Sequence, residues 1–80
     1  MTVYVLTHVR YRYNAEYIAE ANATNTFYPS LEKAKEELNA MFKKAYNYWG
    51  SMAKQYNDME WKSPSGKTFI RKEIIDFMPA

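Results

Sequence analysis

One imidazole, His8, and two guanidiniums, Arg10 and Arg12, fall at alternate positions of a single stretch, and no other residues here are better suited to proton or anion chemistry. Alternate residues of an extended segment share a face, so the three line up with Tyr4 as a cationic, aromatic row. A small ribonuclease could use such a row, the imidazole moving a proton while a guanidinium holds an anion. Nothing else completes that site. There is no cysteine nucleophile and no second histidine, and a lone strand histidine beside arginines more often contacts a partner than catalyses. The expectation is a protein that is not an enzyme.

Metal and cofactor chemistry lack their patterns as well. Asp58, Glu60 and Asp76 are not at ligand spacing, and neither a His-x-x-x-His pair nor a calcium loop occurs. The two glycines, Gly50 and Gly66, cannot build a phosphate cradle. No cofactor and no metal site are expected.

Binding has more to work with. Leu, Ile, Val and Phe number only 14 of 80 residues, while eight Tyr, two Trp and five Met make up the apolar content. Tyr and Trp carry a flat apolar body with a polar tip, which suits an interface as well as a core. Exposed aromatics with arginine at hand are the composition of interaction hot spots. The candidate partner surface is Tyr4, His8, Arg10 and Arg12 on a strand, with Tyr48 and Trp49 on a helix. A protein partner is the preferred reading, and a second copy of the chain would satisfy the same composition. The alternative is nucleic acid, because Arg10-Tyr11-Arg12-Tyr13 interleaves cations with rings and Lys62, Lys67, Arg71 and Lys72 would extend the patch. Against it stands a net charge of only +2 with nine acidic residues, and strand cations also serve to block edge pairing.

These side chains must be positioned by a few elements. Leu31, Ala34, Leu38, Met41, Phe42, Ala45, Trp49, Met52, Ala53 and Tyr56 step by three or four, which predicts one amphipathic helix from Ser30 to about Tyr56. Pro29 and Ser30 mark its start, and Glu32, Glu36 and Glu37 precede Lys43, Lys44 and Lys54 along the dipole. Gly50 costs roughly 1 kcal/mol in a helix interior, but the stripe resumes in phase beyond it, so a kinked or continuous helix is expected, ending at Asn57-Asp58. Tyr48 falls off the stripe.

Thr2 to Tyr13 alternates as a long strand, with Val3, Val5, Thr7, Val9, Tyr11 and Tyr13 expected to face the helix and Tyr4, Leu6, His8, Arg10 and Arg12 left open. A turn at Asn14-Ala15 leads to a strand over 16–23, whose alanines would admit a bulky helix. Thr24 to Pro29 carries the chain across, with Phe27 or Tyr28 stapling the helix start. Ser63-Pro64-Ser65-Gly66 has the residues of a type I turn, so 59–62 and 67–77 form a second hairpin. Residues 71–78 alternate poorly, leaving strand or helix open, with strand preferred. The fold class is α+β, a β-β-α-β-β single domain over residues 1–80 with a four-stranded antiparallel sheet on one long helix.

In size, absence of Cys, aromatic strands such as Thr2 to Tyr13 and one helix on a small antiparallel sheet, the chain resembles small proteins of phages and other mobile elements, the anti-CRISPR and anti-defence inhibitors among them. The resemblance is architectural and carries over no functional residue. It implies a non-enzymatic inhibitor that binds a host nuclease complex, in its nucleic-acid groove. Without cysteine, a basic leader or a long apolar run, a soluble, intracellular (cytoplasmic) protein with no membrane partner is expected.

Overall fold

The computed structural model describes the backbone of residues 1–14 and 17–75, and all of their side chains except those of 13–14 and 17–21. Among these residues five strands and one helix follow in the order β1 (Thr2–Asn14), β2 (Tyr17–Tyr28), α1 (Leu31–Trp49), β3 (Lys54–Asn57), β4 (Glu60–Ser63) and β5 (Gly66–Ile74). The strands form one sheet, ordered β2-β1-β5-β4-β3, in which every neighbouring pair is antiparallel. The fold is α+β. No helix among the described residues is long and apolar enough to cross a membrane.

The helix starts where Pro29 and Ser30 direct it. Ser30 is extended (φ −132°, ψ 148°), and its Oγ accepts from the Lys33 N–H at 3.3 Å, satisfying one of the free amides of the first turn. It ends sooner than the stripe implies. Gly50 takes φ +62°, its N–H caps the Tyr46 carbonyl, and a single 3-10 turn over Gly50–Met52 leads directly into β3. An achiral residue adopts that φ without the Cβ clash that penalises others, so Gly50 is a stop and not a kink. The residues beyond it continue the apolar period by coincidence: Ala53 is buried from the turn, while Tyr56 lies on β3, which makes the sheet five-stranded instead of four. Lys54 likewise belongs to β3, and no basic residue occupies the last helical turn.

β2 runs on to Tyr28 through the stretch expected to be a connection. Thr7 Oγ donates to Asn25 Oδ1 at 2.6 Å, which occupies an asparagine that would otherwise favour a turn. The final strand ends at Ile74, so the strand reading of 71–74 holds; Asp76 to Met78, and Ala15 of the expected first turn, lie outside the described residues.

The helix packs on the face of β1 opposite to the expected one. Leu6, Ala34, Leu38, Trp61 and Ile70 form the core, with Tyr4, Tyr28, Phe42 and Met59 at its margin. The even positions of β1 therefore lie beneath α1, and the odd positions face away. Ala23, paired with Val9, also faces away from the helix. A face count misleads here because β1 is an interior strand, flanked by β2 and β5. Val5 is fully buried on the uncovered face, between its paired residues Phe27 on β2 and Arg71 on β5. The Val residues reflect strand propensity; the larger Tyr4 and Leu6 fill the space under the helix.

Candidate functional site

The structure separates the six predicted partner residues into three groups. Tyr4 is partly buried against the core, so it contributes to the fold more than to a surface. Arg10 and Arg12 line a cavity of about 480 Å3 with Tyr11, Asn22 and Thr24, where the β1–β2 hairpin leaves the sheet: β5 pairs with β1 only as far as Arg10. His8, Tyr48 and Trp49 meet in a groove.

That groove, about 600 Å3, lies between the second half of α1 and the sheet, and Lys44, Trp61 and Ser65 complete its main lining. Its floor is Trp61, only 3% exposed, with the His8 ring 6.1 Å away and the Phe42 ring 6.0 Å away, both tilted. Its rim is Tyr48, 80% exposed, held edge-on to Trp49 at 5.0 Å. Tyr48 faces outward because it falls between the helical positions that reach the core, as its place off the stripe implied. The far end is closed by Trp49 Nε1, which donates to Ser65 Oγ at 3.2 Å.

His8 sits at the base of this groove on β1. Its Nδ1 shares a hydrogen bond of 2.7 Å with Thr68 Oγ1, directly across on β5. Burial, and then the positive charge of Arg10, hold its pKa below the ordinary 6.5, while a hydrogen bond to the Lys67 backbone opposes them. Both effects favour the neutral imidazole. A neutral His8 is a polar, ring-shaped element of the floor rather than a cation. The charge near the groove comes from Lys44, with Arg10 next along the same face of β1, and the lining includes no carboxylate.

Trp61 adds a polar feature. Its Nε1 is buried and has no hydrogen-bond partner, a condition that costs about 1 to 3 kcal/mol for a neutral donor. Sequence reasoning missed Trp61 and Ser65, and no local signal marks them: both come from the β4–β5 hairpin, which reaches the helix only through the sheet order. Among the described residues no cluster of three His, Cys, Asp or Glu is placed to hold a metal ion.

Compared with known proteins, the chain matches no family model, no curated protein and no solved structure.

Proposed function

We propose that this protein is a non-enzymatic protein-binding module that takes an apolar segment of a partner, flanked by acidic residues, into the groove between α1 and the sheet. The observation that carries this reading is Tyr48. An aromatic ring held 80% exposed against Trp49, above a floor of aromatic rings, is in the position of a hot-spot anchor. Lys44 and Arg10 favour an acidic flank, and a partner oxygen that reached the floor would supply the acceptor that Trp61 Nε1 lacks. Arg12 extends the surface along the hairpin. The resemblance to anti-defence proteins makes the concrete version of this function a stoichiometric inhibitor of a host nuclease complex.

Selection from a displayed peptide library tests the proposal, with Tyr48→Ala as the counter-screen. Peptides joining an aromatic or aliphatic anchor to Asp or Glu should be enriched on the wild-type protein and lost on the variant. Equal enrichment on both would remove the groove from the account.

A further inference from the structure

The face of the sheet turned away from α1 carries a feature that neither the groove nor the core uses. Lys54 on β3 pairs with Lys62 on β4, and Lys62 pairs with Lys67 on β5. All three face away from the helix, since Gln55, Trp61 and Thr68 beside them point toward it. Three ammonium groups thus form one row across three adjacent strands, whose spacing is about 4.8 Å. Like charges directly opposite one another destabilise a sheet. Protection of an exposed edge explains Lys54, but β4 and β5 are interior strands with no edge to protect.

Aromatic rings stand beside the row. Lys62 Nζ lies 5.5 Å from the Tyr56 ring centroid and Lys67 Nζ lies 5.7 Å from that of Phe69. Tyr56 is 58% exposed, and Phe27, further along the same face, is 59% exposed. Among the described residues the acidic groups on this face are Glu60 and Glu73. Glu73 is taken by Arg71 at 3.0 Å, and Glu60 makes no ion pair with the lysines.

From this juxtaposition we infer that the open face binds a single-stranded polynucleotide, its phosphates on the Lys54–Lys62–Lys67 row and its bases stacked on Tyr56 and Phe69. A polyanion relieves the repulsion within the row, and a flat ring takes any base by its face, fully at the exposed Tyr56 and in part at the half-buried Phe69. Phosphates and base faces are common to DNA and RNA, so the two bind alike. A duplex hides its base faces and binds more weakly. The surface is distinct from the groove, so this inference stands whether or not the protein-binding reading does.

The experiment is fluorescence anisotropy with labelled 15-mers of dT and rU, the corresponding duplex and an abasic 15-mer, each from 25 to 200 mM salt. The wild-type protein is compared with Lys62→Gln/Lys67→Gln, with Tyr56→Ala and with Tyr48→Ala. The dT and rU strands should bind within a few-fold of each other, and duplex and abasic strands about tenfold more weakly. The double lysine variant should lose about 1.4 from the slope of log affinity against log salt, at roughly 0.7 per phosphate contact. It should also melt no lower than wild type, since it removes a repulsive pair; a structural role for the lysines would lower it. Tyr48→Ala should bind as wild type does. Equal affinity of the double lysine variant, preference for duplex, or absence of single-strand binding at 25 mM salt would each overturn the inference.

Discussion

Trp49 Nε1 donates to Ser65 Oγ at 3.2 Å, tying the last turn of the helix to the turn between β4 and β5. Ser65 Oγ also lies 3.1 Å from Ser63 Oγ, so one small hydroxyl pair fixes where the helix ends over the sheet. Ser65→Ala should lower stability by about 0.5 to 1.5 kcal/mol, the net worth of such a bond. The urea midpoint reads the loss. Trp49 emission should shift to longer wavelength as its ring loses that tether.

Leu38 is fully buried at the centre of the core. Replacing it with Ala removes three side-chain carbons at a site walled by Trp61 and Ile70, whose rings and branches cannot all collapse inward. The expected cost is about 2 to 5 kcal/mol, a large share of what an 80-residue domain holds in reserve. Chemical denaturation measures it, and a near-neutral result would contradict the packing of α1 on the sheet.

Gly66 is required by a close approach. A Cβ at this position would overlap the Val9 carbonyl oxygen, and that oxygen belongs to the backbone of the neighbouring strand. Gly66→Ala must push β1 and β5 apart at the end of their ladder, with an expected cost of at least about 1 to 3 kcal/mol. Thermal melting should show it plainly, whereas Ala at a residue with open space around it would not.

His8 gives stability a pH dependence of known sign. Its folded pKa lies below 6.5, through burial first and Arg10 second, so between those two values the unfolded chain binds more protons than the folded one. Stability from this group is fully present above pH 6.5 and is lost as pH falls from there through the lowered value. Melting temperatures taken from pH 7.5 to 5 should decline, and His8→Gln should flatten the decline. Asp58, lowered by its hydrogen bond to Lys35, acts only in a separate window below its ordinary 3.8.

The start of the helix is legible in Pro29-Ser30 and in the apolar period, because both are local. Its end is not, since Met52 and Tyr56 remain in phase while serving a turn and a strand, and only the backbone at Gly50 separates the two outcomes. The side of β1 that meets the helix is equally hidden. Both Val5 and Leu6 are buried, on opposite faces of β1, so they look alike in sequence. Tyr48 is legible as an exposed ring because it breaks the helical pattern, and the cations Lys62 and Lys67 are legible as part of a hairpin. Their alignment with Lys54, like the meeting of Trp61 with His8, follows from strand register, which no single segment encodes.

The most direct test of the binding groove is amide chemical-shift mapping with a peptide selected on the wild-type protein. The account predicts perturbations gathered at His8, Lys44, Tyr48, Trp49 and Ser65, with affinity lost in Tyr48→Ala. Perturbations centred on Phe27, Tyr56 and Phe69, or unchanged affinity in the variant, would contradict it.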